Sequence, residues 1–272
     1  MLQRKTKGRV IAFYNPKGGS GKTTACANLG VGLTRVGEKV LLIDADPQEN
    51  LTIAMGWNCL EKPELTFEMP IDRVVRESFI DPGLQVLHHS EDVDLLPAHV
   101  LFPEMDIPII LTYNFEPILR KNIEYFKNRY DYILIDCPSA LEVLKINILT
   151  VADSIIIPVQ PEYLSLRGLE RSIDNFINVQ KKLNPHLNIE GILINMIKER
   201  TLIARRTVAT MQKAYGKDLK IFTSRIPYSV RVNEMTAKGK SIFANASSNK
   251  VALGYATLAG EILSLECRNE IV

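Results

Sequence analysis

Long hydrophobic runs are missing from this sequence of 272 residues. The longest, residues 107–111 and 155–159, are far shorter than the roughly 20 apolar residues that a membrane-spanning helix needs. The amino-terminal segment is basic, but the apolar run after it ends at Tyr14 and leaves no room for the core of a signal peptide. These absences argue against a membrane or secreted protein, and we expect a cytoplasmic one.

Cysteine is scarce, with four residues at positions 26, 59, 137 and 267. Their spacing matches neither a metal-ligand motif nor a disulfide framework, so we expect reduced, mostly buried thiols. Internal repeats and low-complexity tracts are absent as well. The hydrophobic and charged fractions, 46% and 24%, are ordinary for a globular chain, which excludes gross disorder.

Positive charge is concentrated in one part of the chain, although the formal net charge is only +2. Residues 198–250 carry twelve Lys or Arg and three Asp or Glu, a local net charge of +9, whereas residues 1–197 have a net charge of −5. A solvated basic face explains most such runs. An excess of this size also suits a polyanion, and both interpretations stay open.

Short apolar strands alternate with helical segments along most of the chain. We predict strands at residues 9–14, 39–44, 132–136, 154–159, 189–195 and 220–226, and helices at residues 22–36, 117–129, 141–151, 166–183, 203–216 and 250–265. Residues 56–100 are punctuated by prolines and predict irregular structure. Near-continuous apolar strands separated by helices are typical of an α/β fold with a mostly parallel, twisted sheet and helices on both faces. Because no linker is evident, residues 1–272 are expected to form one domain.

A glycine-rich loop follows the first predicted strand and leads into the first helix. Gly21-Lys22-Thr23 matches the end of the P-loop pattern G-x-x-x-x-G-K-[ST], but Pro16 stands where the first glycine belongs. Glycines let backbone N–H groups approach phosphates closely, and the start of a helix favours negative charge. Lys22 should reach the β- and γ-phosphates, and the Thr23 hydroxyl should bind Mg²⁺. The residues predicted to hold the nucleotide are Gly18, Gly19, Ser20, Gly21, Lys22, Thr23 and Thr24. A turn that merely joins strand to helix is the weaker interpretation, because strand, loop, Gly-Lys-Thr and helix occur in order.

Acidic residues follow two of the predicted strands. Asp44 ends the strand at residues 39–44, Asp46 comes two residues later, and Asp136 ends the strand at residues 132–136. A parallel sheet presents its ligands at the carboxyl ends of its strands. We interpret Asp136 as the Walker B acid that supports Mg²⁺. Aspartates that simply end a strand are common, so a structural role is the alternative.

A second lysine, Lys17, comes directly after Pro16. In Lys17-Gly18-Gly19-Ser20-Gly21-Lys22-Thr23-Thr24 the chain resembles the ParA/MinD family of ATPases, whose deviant Walker A signature is K-G-G-x-G-K-T-T. The resemblance implies that Lys17 reaches across a nucleotide-bridged homodimer to the partner's phosphates, much as an arginine finger does. It also implies that Asp46 positions the attacking water and that Asp44 lies close to Mg²⁺. By the same resemblance, Asn195 and Pro227 match positions that contact adenine.

The resemblance covers nearly the whole chain and is closest to Soj-like ParA proteins. Four residues depart from the family pattern: Glu49 replaces a glycine, and Ser139, Ala140 and Glu142 replace Pro, Ser and Gly. Arg200 and Arg231 match positions that contact DNA in Soj-like proteins. Charge alone makes Arg205, Arg206, Lys238 and Lys240 further predicted phosphate contacts.

The glycine loop begins within twenty residues of the N-terminus, so we expect no separate helix-turn-helix domain before it and no operator-specific reading of DNA. The resemblance implies a nucleoid-associated partition ATPase that uses ATP and Mg²⁺. Such a protein closes a homodimer, binds double-stranded DNA without sequence preference, and is stimulated by a ParB-type centromere-binding protein.

Two other classes of protein share the deviant loop. A MinD-like ATPase cycles on a membrane, and its C-terminal amphipathic helix has a basic face. Residues 263–272 are instead short and more acidic than basic, so we expect no membrane partner. An electron-transfer iron protein needs paired cysteines to hold its cluster, and no second cysteine lies near Cys137 in the sequence.

Overall fold

The computed structural model describes residues 8–57, 86–98, 116–162, 165–244 and 249–269. The strands within them are β1 (Arg9–Phe13), β2 (Val40–Asp44), β3 (Leu87–His88), β4 (Asp94–Leu96), β5 (Tyr132–Asp136), β6 (Ser154–Val159), β7 (Asn188–Ile197) and β8 (Ile221–Pro227). The helices are α1 (Lys22–Thr34), α2 (Asn50–Ala54), α3 (Glu116–Phe126), α4 (Glu142–Val151), α5 (Ser165–Lys182), α6 (Leu202–Tyr215), α7 (Val230–Thr236) and α8 (Lys250–Asn269), with a 3-10 turn at Ile242–Ala244. All six predicted strands and all six predicted helices are present, with ends that differ by a few residues.

The described strands form one sheet in the order β3-β4-β2-β5-β1-β6-β7-β8. Neighbouring strands run parallel except for the β3–β4 pair. In the centre, Phe13 of β1 lies opposite Asp136 of β5 and Ile156 of β6. The chain passes from β1 to one side of the sheet and later to the other. The carboxyl end of β1 is therefore a topological switch point, where open α/β sheets bind their ligands.

Each face of the sheet has its own hydrophobic core. Val10 and Ala12 of β1 belong to the core formed with α3, α4, α5 and α6, whereas Ile11 and Phe13 belong to the core formed with α1, α7 and α8. Strands buried on both sides explain the near-continuous apolar runs in the sequence. The prediction of an α/β fold with a mostly parallel sheet and helices on both faces is confirmed. None of the described helices combines the length and the apolar character that crossing a membrane would require.

Side-chain acceptors cover part of the outer edge of the sheet at β8. The backbone N–H groups of Thr223 and Ser224 donate to the Glu261 carboxylate of α8 at 3.0 and 2.7 Å. Burial raises the pKa of Glu261, but these hydrogen bonds outweigh it and leave the pKa below its ordinary value. At the opposite edge, β3 is only two residues long.

The prediction of irregular structure at residues 56–100 is wrong for β3 and β4, which lie within residues 86–98. Strands of two and three residues are too short to show an alternating pattern. The helices α2 and α7 were not predicted either, since five and seven residues give fewer than two helical turns. The predictions for residues 58–85 and 107–111, for Cys59 and for residues 270–272 lie outside the described residues.

Candidate nucleotide site

The glycine loop leaves β1 and enters α1 in a conformation that requires glycine at two positions. Gly19 and Gly21 have φ angles of 72° and 82°, in the left-handed region. That region costs other residues about 1–2 kcal/mol. A Cβ atom on Gly21 would also lie 2.3 Å from Asn195 Nδ2. Gly18 and Gly19 are exposed, so the loop backbone is open to a ligand at the start of α1.

Lys22 is buried beneath the loop. Its Nζ donates to the backbone oxygen of Asn15 at 3.0 Å and to Ser139 Oγ at 2.9 Å. Burial lowers the pKa of Lys22, and the nearby Asp136 carboxylate opposes that shift. Both acceptors are uncharged, so an anionic phosphate would be a stronger partner for this ammonium group.

Asp44 and Asp136 end adjacent parallel strands and are neighbours in register. Asp44 Oδ2 accepts hydrogen bonds from the Thr52 backbone at 2.8 Å and the Thr52 hydroxyl at 2.7 Å, while Asp136 Oδ2 accepts one from Thr23 Oγ1 at 2.6 Å. Burial raises the pKa of Asp44 to about 6 in spite of its hydrogen bonds. Burial and then the Asp44 charge raise the pKa of Asp136 well above its ordinary value. A cation between them would favour the charged form of both.

The oxygen atoms at these strand ends fit Mg²⁺. Asp136 Oδ1 is buried, and no donor among the described residues reaches it. Mg²⁺ is usually held by one or two carboxylates together with phosphate oxygens and water. The described ranges contain no group of three His, Cys, Asp or Glu side chains arranged to hold a metal. Thr23, Asp44 and Asp136 therefore suit a Mg²⁺ ion that binds together with a nucleotide, and the open glycine loop suits that nucleotide's phosphates.

Asp46 lies at the rim of the site and is half-buried. Its backbone N–H donates to Asp44 Oδ1 at 3.2 Å, and its own Oδ1 accepts from the Gln48 backbone at 3.1 Å. Asn50 Nδ2 lies 3.5 Å from the other carboxylate oxygen. The side chain is thus held in place while solvent still reaches it. Its role in positioning a water molecule stays a prediction.

Lys17 and Lys22 have separate partners. Lys17 Nζ donates to Glu162 Oε2 at 3.0 Å and to Ser165 Oγ at 3.3 Å, beside the start of α5. The Glu162 side chain is 62% exposed. An ion pair this accessible to water contributes about 0–1 kcal/mol, so it holds Lys17 only weakly.

The two residues predicted to contact adenine lie near the carboxyl ends of β7 and β8. Asn195 is buried, and its Nδ2 donates to the Ser20 backbone oxygen at 3.0 Å. Pro227 is the last residue of β8 and is the register partner of Ile197. Asn195 therefore braces the glycine loop in this structure. An adenine contact by either residue stays a prediction.

The departures from the family pattern coincide with left-handed backbone at two places. Glu49, which replaces a glycine, has a φ of 55°, and Leu141, next to Glu142, has a φ of 61°. Such strain in residues other than glycine often lies beside functional sites. Ser139 replaces a proline and contacts Lys22 directly, whereas Ala140 is exposed.

The predicted DNA contacts do not form one uniform group. Five of them are exposed: Arg200, Arg205, Arg206, Arg231 and Lys238. Arg200 follows β7 and Arg231 lies in the first turn of α7, on segments joined by a hydrogen bond of 3.1 Å from the Tyr228 N–H to the Ile197 carbonyl. Lys240 is half-buried, and its Nζ donates to Ser90 Oγ at 2.7 Å in the β3–β4 turn. Lys240 therefore bonds to the turn between β3 and β4, at the opposite edge of the sheet from β7 and β8.

Three polar residues of the site were missed by the sequence analysis. Asn15 accepts from Lys22 through its backbone oxygen and from the Lys17 backbone through its side chain, and Gln160 Nε2 donates to the Gly19 carbonyl at 2.8 Å. Lys145 is buried behind Ser139. The position of Asn15 between strand and loop is a usable sequence signal, whereas Gln160 and Lys145 come into the site only through folding. Cys26 and Cys137 are buried free thiols, as expected.

At the switch point of a parallel sheet, the site combines a buried lysine beneath a glycine loop with a threonine hydroxyl that donates a hydrogen bond to a strand-end aspartate. Together the fold and this arrangement define a P-loop nucleotide-binding protein.

Comparison with known proteins identifies the family. A family model described as an AAA domain matches residues 8–189. The sporulation initiation inhibitor protein Soj of Bacillus subtilis is 37% identical over 94% of this chain and 98% of its own length, and the chromosome partitioning protein ParA of Caulobacter vibrioides is 32% identical over 95% of both. The solved structure of cobyrinic acid a,c-diamide synthase from Mycobacterium smegmatis, with bound ATP analog and magnesium, has a TM-score of 0.75 and 28% identity over 94% of both chains. The chain belongs to the ParA/MinD family of P-loop ATPases.

Proposed function

We propose that this chain is a ParA-type partition ATPase whose residues 1–272 act as one catalytic domain. The observation that carries the proposal is the placement of its two loop lysines. Lys22 lies inside the phosphate site, whereas Lys17 lies at the surface on a partly exposed ion pair with Glu162. Because Lys17 is held only weakly and lies outside the phosphate site of its own chain, it is suited to bind the phosphates held by a second copy. The partitioning relatives described above support the same function.

The proposed roles of the site residues follow from their contacts. Lys22 and the loop N–H groups from Gly18 onward bind the phosphates of ATP, and Thr23, Asp44 and Asp136 hold Mg²⁺. Bound Mg²⁺ would neutralise charge on the phosphates. Asp46, anchored by the Gln48 N–H, orients the attacking water at the rim. Lys17 from the partner copy supplies positive charge at the point where negative charge develops during phosphoryl transfer.

The proposed DNA surface is built from the exposed arginines after β7 and β8. Arg200 and Arg231 lie on neighbouring segments, and Arg205 and Arg206 follow in the first turns of α6. Their guanidinium groups can neutralise phosphates along a duplex, and such contacts carry no sequence information. A ParB-type partner that stimulates hydrolysis, and association with the nucleoid, complete the proposal.

Retention of nonspecific duplex DNA on a filter, with ATP or ADP and across a salt series, tests this function. We expect ATP-dependent retention that weakens steeply with salt, because each phosphate contact adds about 0.9 to the slope of log K against log salt. Arg200→Ala should lower the magnitude of that slope by about 0.9 per chain, the value of one phosphate contact. The matched control is Arg171→Ala on α5, another exposed arginine. Equal retention in both nucleotide states, or no dependence on salt, contradicts the proposal. If the protein instead floats with anionic vesicles in the presence of ATP, the result favours the MinD-like alternative, which cycles on a membrane.

A further inference from the structure

The loop between β5 and α4 carries a short chain of polar contacts that ends on the P-loop lysine. Lys22 Nζ donates to Ser139 Oγ at 2.9 Å, and Lys145 Nζ donates to the Ser139 backbone oxygen at 3.3 Å. Lys145 Nζ also donates to Glu142 Oε1 at 2.7 Å. Ser139 thus connects two lysines, one through its side chain and the other through its backbone.

The Ser139 hydroxyl is placed to do more than accept a hydrogen bond from Lys22. A serine hydroxyl can accept and donate at the same time. Within the described ranges, the contacts of Ser139 Oγ use it only as an acceptor. A Cβ atom on Gly18 would lie 4.0 Å from this oxygen, so the hydroxyl stands over the exposed part of the glycine loop. Its proton is therefore available to an acceptor that binds between the loop and Lys22.

Lys145 explains why Ser139 is held in this position. Its side chain is only 2% exposed, whereas that of Glu142 is 66% exposed. A buried ammonium group is costly unless it is paired and hydrogen-bonded. Here one acceptor, the Ser139 carbonyl, belongs to the loop that leads into α4, and the other, the Glu142 carboxylate, belongs to the first residue of that helix. The ammonium group therefore fixes the backbone of the residue whose hydroxyl faces Lys22.

We propose that Ser139 donates a hydrogen bond to the terminal phosphate of bound ATP and that Lys145 is the positioning residue that aims it. The ligand class is a nucleoside triphosphate, distinguished from the diphosphate by this contact. The inference rests on the proposed ATPase function. A proline, which the family pattern has at this position, cannot make such a contact because it lacks a hydroxyl.

Affinities for ATP and ADP with Mg²⁺, measured by titration calorimetry, test the role of Ser139. Ser139→Ala should weaken ATP binding roughly tenfold and leave ADP binding unchanged, since a hydrogen bond to a charged group is lost only with ATP. Ser139→Thr, which keeps the hydroxyl, should restore most of the ATP affinity. Ser264→Ala, a matched change at an exposed position on α8, should alter neither affinity. The unchanged affinity for ADP also shows that the variant folds.

The outcomes separate this inference from the proposed function. Wild-type protein that binds neither nucleotide contradicts the ATPase itself. Wild-type protein that binds both, with Ser139→Ala losing neither or losing ATP and ADP equally, overturns the phosphate contact alone.

A double-mutant cycle tests the positioning role of Lys145. Lys145→Met should show the same selective loss of ATP affinity, Lys145→Arg should recover part of it, and the double variant with Ser139→Ala should lose no more than either single variant. If Lys145→Met keeps the ratio of ATP to ADP affinity, or if the two losses add, Lys145 does not act through Ser139.

Discussion

Asp136→Asn should stabilise the nucleotide-free protein while weakening its response to Mg²⁺ and nucleotide. Asp136 and Asp44 are direct neighbours on parallel strands, which lie about 5 Å apart. At an effective dielectric constant of about 20, two unit charges at that distance repel each other by about 3 kcal/mol. Asparagine keeps an oxygen to accept from the Thr23 hydroxyl, and its amide replaces an oxygen that no described donor reaches. The substitution therefore removes the repulsion. It also loses the attraction between the Asp136 carboxylate and Lys22, which affects the pKa of Asp136 less than the Asp44 charge does.

The stabilisation has a definite dependence on pH. The folded-state pKa values of Asp44 and Asp136 are raised above their ordinary values, that of Asp44 to about 6. Groups raised in this way contribute stability below the unfolded pKa of about 4 and lose it as the pH rises through the folded value. The variant and the wild type should therefore have similar free energies of unfolding near pH 4. Their difference should grow as the pH rises above about 4, and it should reach about 3 kcal/mol where both carboxylates are ionised.

Denaturant unfolding at pH 4.5 and pH 7.5, without nucleotide or metal, measures this difference. Asp218→Asn provides a matched control, because Asp218 is exposed and lies after α6, away from the site. The control should change the free energy of unfolding by less than about 0.5 kcal/mol. At pH 7.5, ADP with Mg²⁺ should raise the unfolding midpoint of the wild type more than that of Asp136→Asn. A variant no more stable than wild type at pH 7.5 would refute the reasoning from charge repulsion.

Two further predictions concern the glycine loop. Lys17→Ala should bind ATP with wild-type affinity, because Lys17 is expected to contact the phosphates of another copy and not those of its own chain. The variant should remain a monomer with ATP in size-exclusion chromatography and show no stimulated hydrolysis. Normal turnover with a stimulating protein present would exclude this role. Gly21→Ala should lower the free energy of unfolding by about 1–2 kcal/mol for its left-handed φ of 82°, and more for the contact with Asn195, and should abolish nucleotide binding. Its control is Gly260→Ala in α8, where nothing lies within 4 Å of the added methyl group and where alanine should stabilise the helix by about 0.5–1 kcal/mol. Equal effects of the two glycine variants in thermal unfolding would contradict the assigned backbone strain.

The central part of the fold could be predicted because its signals are local. The strand that ends at Phe13, the loop and α1 follow one another in the sequence, and each has a pattern long enough to recognise. The acids were predicted for the same reason, since Asp44 and Asp136 each end an apolar run. Neither apolar run, however, indicates that the two carboxylates become neighbours in the folded protein. That fact depends on the pairing of β2 with β5, and the paired aspartates are 92 positions apart in the sequence.

The parts that could not be predicted depend on contacts distant in sequence or on very short elements. Lys145 has the spacing of a helix surface residue, and only the packing of α4 buries it behind Ser139. Lys240 belongs to a basic segment by composition, but its bond to Ser90 joins positions 150 residues apart. Glu49, which departs from the family pattern, and Leu141, next to the departure at Glu142, have positive φ angles that are uncommon for their residue types and so could not be predicted.

The protected edges of the sheet limit how copies of this chain can assemble. A free strand edge is a template for adding another strand, and repeated addition produces open-ended fibres. At β8 the Glu261 carboxylate occupies two of the N–H groups that such a strand would need, and β3 offers only two residues. Growth by strand addition is therefore disfavoured at both ends of the described sheet. The proposed pairing of two copies through Lys17 uses neither edge, so it can close on itself instead of propagating.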